Sequence, residues 1–430
     1  MPQPWTEAAR VESDDKLLRN LRLRAPAYPW RLVGMLAVTQ ALGYGVLYYT
    51  FAALLAPTAR ALHTSTTTVT GALTASLLAG AAAAIPVGRW LDRHGGRALM
   101  ATGSFTATVL ALAWSRVHDV AELYAVWIVL GLACSAVLYE AAFAVIVSWF
   151  APKDRLRATL AVTMLAGFTG IIFLPLASEL AGAYGWREAV AVLAVGYGCV
   201  SVPLHLFIRR PPHLTASSHC RIGPVHAAGA AARAERIRAA VRERVFWMLA
   251  GSFVAETGAL TAISVLLVTM LHSLGHGQSF AATAAGLVGI LSIAGQLTAA
   301  TAGRRWPTGY VTAAAFATQA VGAVMLPLAG HSKAGAIGCV ATIGLGFGVS
   351  VITRPAILSD RYGTADYATL AAAWAVPTCL VRAFAPLGAA LLWHAAGLAS
   401  TLDAAAACYL LGALGLVFSV GYRREEALPG

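Results

Sequence analysis

The amino-acid sequence predicts an all-α integral membrane protein, twelve transmembrane helices arranged as two bundles of six. Three observations predict it. The chain divides into long, nearly uncharged apolar runs, each close to the ~20 residues that a spanning helix needs. A basic segment, Arg209 to Arg244, falls near the middle and separates two apolar blocks of similar length, roughly 30–208 and 245–422. Of 430 residues, 12% are charged and 58% hydrophobic, with mean hydropathy +0.70. A soluble domain carries about 25% charged residues, so a chain this apolar cannot cover itself with a solvated surface, and the lipid bilayer is its expected solvent.

The formal net charge of +12 does not point to nucleic acid. The basic residues sit in short connections between apolar spans and form no face of a domain. Six cysteines, Cys134, Cys199, Cys220, Cys339, Cys379 and Cys408, are scattered without CxxC spacing. They suggest neither a metal site nor a disulfide framework, and no cofactor is expected. About thirty polar residues precede the first apolar run, unlike a cleavable signal peptide.

Residues 1–29 read as a charged tail in which Leu17, Leu18 and Leu21 either line a short interfacial helix or belong to a frayed segment. The twelve apolar runs follow at roughly 32–56, 66–90, 98–117, 121–148, 156–183, 187–208, 246–273, 279–302, 308–330, 334–357, 366–394 and 398–421. They are continuous and rich in Ala, Leu, Val and Gly, as packed membrane helices are. Spanning strands would alternate in short segments instead. Residues 209–244 form the basic linker and 423–430 a short C-terminal tail.

With the N-terminus inside, the inner connections collect Arg10 to Arg31, Arg89, Arg93, Arg97, Lys153, Arg155, Arg157, the linker arginines, Arg304, Arg305, Arg354, Arg361, Arg423 and Arg424. The outer side keeps only Arg60, Arg116, Arg187 and Lys333. Basic loops are retained in the cytoplasm, so both termini and the linker are expected there, in the plasma membrane. A repeat supports two halves. Ala158-Thr159-Leu160-Ala161 opens span 5, and Ala368-Thr369-Leu370-Ala371 opens span 11. Each is the fifth span of its half, and six plus six helices in parallel repeats is a transporter plan.

Between spans 2 and 3 the chain reads Gly88-Arg89-Trp90-Leu91-Asp92-Arg93-His94-Gly95-Gly96-Arg97. This resembles the loop 2–3 signature of the major facilitator superfamily. Gly88, Asp92, Arg93, Gly95 and Arg97 fall on its key positions, while Trp90 and Gly96 depart from it. Gly88 permits close helix approach, and Asp92 suits a cap or an ion pair. The resemblance covers the chain from about residue 30. It implies a monomeric transporter, two six-helix bundles rocking about a central site, with Gly88, Asp92, Arg93 and Arg97 as gating residues. Phe150, Lys153, Arg155 and Arg157 before the Ala158 repeat, then Ala166-Gly167 and Gly170, resemble the loop 4–5 signature of monocarboxylate and oxalate/formate transporters. Arg361-Tyr362-Gly363 is similar to the same branch. Span 1 carries Gly43-Tyr44-Gly45 without that branch's acidic residue. The drug-efflux branch has an arginine in span 4 and a Gly-Pro motif in span 5. Span 4 here has no arginine, and span 5 has Pro175 without that pattern.

A charge at mid-span costs about 2.5–3.5 kcal/mol even on the gentler scales, which singles out Glu140 in span 4, Glu256 in span 7 and Arg382 in span 11. Glu140 and Glu256 are proton-coupling candidates or structural acids. Arg382, between Pro377 and Pro386, is expected to receive an anionic substrate group, with one of the two acids balancing it in the empty state. Gln40, Tyr44 and Tyr48 recur every four residues on span 1 and are expected to share a face, lining a substrate site or packing between helices. His205, His272, His394, Asp403 and Glu179 lie near span ends and count less. The leading expectation is proton-coupled or exchanging transport of a small organic anion. The alternative is proton-coupled efflux of a drug-like or cationic compound. An enzyme would need a nucleophile–base set or metal ligands, and neither HExxH nor GxSxG occurs. No GxxxxGK[ST] loop is present for direct ATP drive.

Overall fold

A computed structural model of the protein describes residues 27–209 and 225–426. The tail leucines Leu17, Leu18 and Leu21, together with Arg210 to Arg221, lie outside the described residues. Among those described, ten helices are long and apolar enough to cross a membrane. One of them, Tyr367–Ser419, contains two of the expected runs and turns at Gly397, where φ is 85° and ψ 177°. The shorter helix Gly96–Trp114 completes the expected set as span 3.

The spans begin where caps allow them to. Ser65, Asp119 and Ser332 accept hydrogen bonds from the backbone N–H groups of Thr68, Glu122 and Gly335, at 3.0, 2.8 and 3.0 Å. Each supplies an acceptor to an otherwise orphan helix-start donor, opening spans 2, 4 and 10. The turn between spans 5 and 6 is Gly185, φ 91° and ψ 157°, and its counterpart between spans 11 and 12 is Gly397. Both conformations belong essentially to glycine, so the halves share this turn.

Three spans are less regular than their sequences suggest. Span 1 runs Ala27–Tyr44, widens to a π turn at Gly45–Tyr49, and continues as Thr50–Ala61. Span 4 breaks at Leu138 between Val120–Val137 and Tyr139–Trp149. Span 5 breaks at Phe168 between Pro152–Gly167 and Thr169–Tyr184. Such interruptions free backbone groups that must be satisfied inside protein. At the span 4 break, Gln40 Nε2 donates to the Val137 carbonyl at 2.7 Å.

The linker is helical over Val225–Arg242 rather than the loop its composition suggests, and it runs directly into span 7, Arg244–Ser273. On the side of the membrane where it lies, here the linker face, one apolar core joins both halves. That core takes Leu32, Leu36, Ile146 and Val162 from the first half and Phe246, Phe253, Leu370 and Trp374 from the second. Toward the opposite face the core divides. Phe51, Trp114 and Trp127 centre a cluster of first-half residues, and Ile263, Met270, Ile343 and Tyr409 belong to a cluster of second-half residues. The two halves are therefore packed together at the linker face and separately at the far one, so the interior is closed toward the linker.

Candidate functional site

Arg382 lies fifteen residues into the helix that starts at Tyr367, roughly 22 Å from the linker face at 1.5 Å per residue. Its side chain is exposed and makes no hydrogen bond or ion pair among the described residues. Its charge acts on Tyr44 of span 1, Cys379 of span 11 and Glu256 of span 7. These groups come from both halves, which puts the guanidinium at the centre of the molecule.

Neither acid is paired with it, contrary to the expectation that one of them balances Arg382. Glu140, half exposed, pairs instead with Arg354 Nη2 of span 10 at 3.4 Å. Arg354 was counted among the inner-loop cations, yet it sits eight residues before the end of Lys333–Tyr362, roughly 12 Å into the helix. The charges of Glu140, Arg354 and Arg382 all act on Cys379, so the three belong to one constellation.

Glu256 is 2% exposed. Its carboxylate accepts from Ser350 Oγ at 3.1 Å and from Thr257 Oγ1 at 3.3 Å. It is thus held by neutral donors within the second half. The Tyr409 hydroxyl, near enough to feel its charge, is buried without a hydrogen-bond partner among the described residues.

The span 1 candidates separate. Gln40 is fully buried with its amide on Val137, its Oε1 unpartnered. Tyr44 stands with its ring 4.5 Å from Tyr139 and 6.5 Å from Tyr48. Tyr139 in turn stacks on Phe143 at 5.0 Å. Tyr48 lies in the π turn and is 42% exposed. A π turn holds more residues than an α turn, so the four-residue spacing that aligns Gln40 with Tyr44 does not carry through to Tyr48.

The linker-face residues meet across the halves. Gly88 is buried against span 11, where an added Cβ would run into the Ala368 carbonyl oxygen. Asp92 Oδ1 accepts from Ala368 N–H at 3.0 Å, and Oδ2 from Thr369 N–H at 2.8 Å and Thr369 Oγ1 at 2.6 Å. An acid at the end of span 2 thereby caps the start of span 11, where the helix dipole favours negative charge. Arg93 and Arg97 are exposed, without a side-chain partner among the described residues. Arg155, 7% exposed, donates to the Phe150 carbonyl at 3.0 Å and lies 3.6 Å from Asp360 of span 10. Thr163 of span 5 bonds Gln296 of span 8 at 2.6 Å. Sequence reasoning missed Arg354, Tyr139, Thr163, Gln296 and the linker's Arg233. For Arg354 a signal existed in its distance from the helix-ending Gly363.

No group of three or more His, Cys, Asp or Glu side chains suited to a metal ion occurs among the described residues.

No curated protein sequence matches the chain closely enough to identify a relative. Solved transporter structures share its fold. The E. coli fucose:proton symporter FucP has a TM-score of 0.71 at 14% identity, covering 92% of this chain and 99% of its own. The proton:xylose symporter XylE has a TM-score of 0.69 at 12% identity, covering 93% and 96%. The human organic anion transporter MFSD10 (TETRAN) has a TM-score of 0.68 at 16% identity, covering 90% and 99%. The family model of the Major Facilitator Superfamily matches residues 36–386. Ten to twelve apolar helices among the described residues, a core fused at one face and divided at the other, charges collected between the halves and that match agree: the chain is a multi-pass membrane transporter, not an enzyme, and belongs to the major facilitator superfamily.

Proposed function

We propose that this transporter carries a small organic anion, such as a monocarboxylate, by alternating access and in a proton-coupled or exchanging mode. The reading rests on Arg382, an exposed mid-membrane guanidinium whose charge reaches groups of both halves and which has no counter-ion among the described residues. An arginine stays charged and offers a planar fork matched to a carboxylate, and an unpaired charge at this depth is costly unless a ligand answers it. Tyr44 and Tyr139 supply aromatic walls and hydroxyls beside it. In this reading Gln40 maintains the break in span 4 behind those rings, and Tyr48 contacts substrate nearer the entrance.

The charges suggest the coupling. With Glu256 protonated, Arg382, Arg354 and Glu140 leave the site with one excess positive charge, which one carboxylate neutralises. When Glu256 ionises, that excess disappears and the hold on the anion weakens. Proton loading at Glu256 would then favour anion binding, and Glu140 would respond through Arg354. The similar structures include two proton symporters and an organic anion transporter, which accords with this reading. The loop 4–5 residues and Arg361-Tyr362-Gly363 favour the monocarboxylate and oxalate/formate branch. The arginine asymmetry supports a cytoplasmic linker and cytoplasmic termini in the plasma membrane, with 30–208 and 245–422 as the bundles of a working monomer.

A second reading, efflux of a cationic or drug-like compound, is favoured by one observation. The half-exposed Glu140 carboxylate lies near the aromatic pair Tyr44 and Tyr139.

Flux into proteoliposomes, with a panel of monocarboxylates and cationic dyes and with or without a proton gradient, separates the two. The anion reading expects carboxylate uptake that Arg382→Ala reduces by ~30-fold or more, since truncating one partner of a hydrogen-bonded charge pair costs about 2–5 kcal/mol. Arg382→Lys keeps the charge, loses the fork and retains weakened binding. Glu256→Gln retains exchange but loses gradient-driven accumulation. Normal carboxylate affinity in folded Arg382→Ala, or dye transport that needs Glu140 and not Arg382, establishes the efflux reading instead.

A further inference from the structure

We infer that the linker helix is a working part of the gate, with Arg233 the positioning residue that clasps the two halves shut at the linker face. Arg233 Nη2 lies 3.1 Å from Asp92 Oδ2 of the first half, and its Nε lies 2.9 Å from Asp366 Oδ1 at the threshold of span 11 in the second. Both carboxylate side chains are nearly buried, 5% and 8% exposed, and the arginine is 17% exposed. A single guanidinium from a segment outside both bundles therefore bridges one acid from each. It acts on the carboxylate that also caps span 11 through Ala368 and Thr369.

The remaining contacts say which half the linker follows. Arg236 Nε donates to Asp366 Oδ2 at 3.1 Å. Glu243, at the junction with span 7, binds both the Arg361 guanidinium and the Tyr362 hydroxyl of span 10. Ile237, Ala240 and Val241 pack on the apolar core that carries Phe246 and Trp374. Asp366 keeps Arg236 when Arg233 is taken away, whereas Asp92 has no second basic partner among the described residues. Opening the linker face must pull Asp92 off span 11. The pair that parts with it is Asp92–Arg233, while the helix stays with the second half. Neither contact of Arg233 has hydrogen-bond alignment: Arg233 Nη2 and Asp366 Oδ1 are both buried without a hydrogen-bond partner. The clasp is thus Coulombic, strong in a partly dry setting and releasable without breaking a fixed geometry.

The clasp does not depend on which substrate is carried. It is tested in the full-length transporter with a reporter cysteine, Ser148→Cys. Ser148 lines the small cavity that also holds Asp92 and Thr364 at the linker face. Modification by a small maleimide is compared with the parent chain lacking that cysteine. Arg233→Ala is expected to raise the labelling rate about fivefold to thirtyfold and to change maximal transport rate while leaving KM within about twofold. Arg233→Lys is expected to fall between. Adding Asp366→Asn to Arg233→Ala is expected to do less than the two single effects summed, since both variants lose the Arg233–Asp366 pair and only the Arg236–Asp366 pair remains to be lost. Arg238→Ala serves as the control, because among the described residues Arg238 pairs only with its exposed linker neighbour Glu235. Unchanged labelling and turnover in folded Arg233→Ala and Arg233→Lys overturn the inference. Equal effects of Arg238→Ala, or full additivity with Asp366→Asn, overturn it as well.

Discussion

Two seams hold the halves together at the linker face, and they are built from different chemistry. Where span 2 meets span 11, a carboxylate grips the start of the opposing helix through two backbone donors and one hydroxyl. Where span 8 meets span 5, the link is a neutral contact between Thr163 and Gln296, with Gly167 facing Ile293. The parallel repeat makes these seams counterparts, since spans 5 and 11 open on the same Ala-Thr-Leu-Ala block. The turn after span 8 offers Gly303, Arg304 and Arg305, with no acid to grip span 5. Arg155 near the start of span 5 reaches instead toward Asp360, 3.6 Å away at a partly exposed position. The repeat thus preserves geometry while the chemistry diverges. Charge-assisted bonds in a buried setting are about twice as strong as neutral ones, so the span 2–11 seam is expected to set the stability of the closed face.

The sharpest way to break this comparison is to add one methyl group to each seam. At Gly88 the new Cβ would meet the Ala368 backbone carbonyl and come within 3.1 Å of the Ala372 Cβ. Backbone cannot yield without moving span 11, and overpacking of this kind costs about 1–3 kcal/mol. Gly88→Ala should therefore raise labelling of a cysteine at Ser148 by tenfold or more. At Gly167 the nearest atoms are Ile293 Cγ1 and Cδ1 at 3.2 and 3.3 Å, the far end of a side chain that can turn aside. Gly167→Ala should change labelling by no more than about twofold, because a flexible neighbour relaxes most of the clash. Equal responses would mean that both seams are set by packing alone.

Asp92→Asn tests the charge itself. The amide keeps one acceptor, loses the attraction to the start of span 11, and turns a donor toward the donors of Thr369. A hydrogen bond to a charged group contributes about 1.5–3 kcal/mol, so the closed face should lose roughly tenfold or more in relative population. The change should appear in turnover rather than substrate affinity, because Asp92 lies at the linker end and Arg382 at mid-membrane. Stopped-flow substrate binding beside initial-rate flux checks this, and an affinity loss at full turnover would tie Asp92 to the site instead.

The residues involved show what the sequence could and could not reveal. The passes follow from run lengths, because lipid forces backbone bonding within each segment. Gly88 and Asp92 stood out through the resemblance of their stretch to the loop 2–3 signature, and the partner of Asp92 lay within a stretch already noticed as a repeat. What joined them was docking between halves some 276 residues apart, which no local pattern encodes. The π turn that swings Tyr48 off the line of Gln40 and Tyr44 follows a Gly-Tyr-Gly triplet, whose composition fits an ordinary helix equally well. Arg354 was misjudged for a simple reason: hydropathy ended its run at 357, whereas the helix continues to Tyr362. Arg382 was legible because nothing near it in sequence explains its cost. That it is unpaired was not legible, since that depends on Glu140 having found Arg354.

The hydrogen bond of the neutral seam has a smaller expected effect than the carboxylate of the charged one. The Thr163 hydroxyl has one proton and three oxygens within reach: Gln296 Oε1 at 2.6 Å, Thr159 O at 3.1 Å and Leu160 O at 3.2 Å. It can donate to only one at a time. Turning the Gln296 amide would let that group donate to the hydroxyl while the hydroxyl donates back to its own helix. Either arrangement gives one neutral hydrogen bond between the halves, worth about 1 kcal/mol. Thr163→Val preserves shape and removes that bond, leaving the Gln296 amide, 4% exposed, without its cross-seam partner. Labelling at Ser148→Cys should rise about fivefold at most, less than for Asp92→Asn. Combined with Asp92→Asn the effects should add, since seams with no shared partner act independently. If Thr163→Val matches Asp92→Asn, the carboxylate does not dominate the closed face and the contrast between the seams is wrong. If the double variant is no worse than Asp92→Asn alone, the span 5–8 contact forms only after the charged seam has closed.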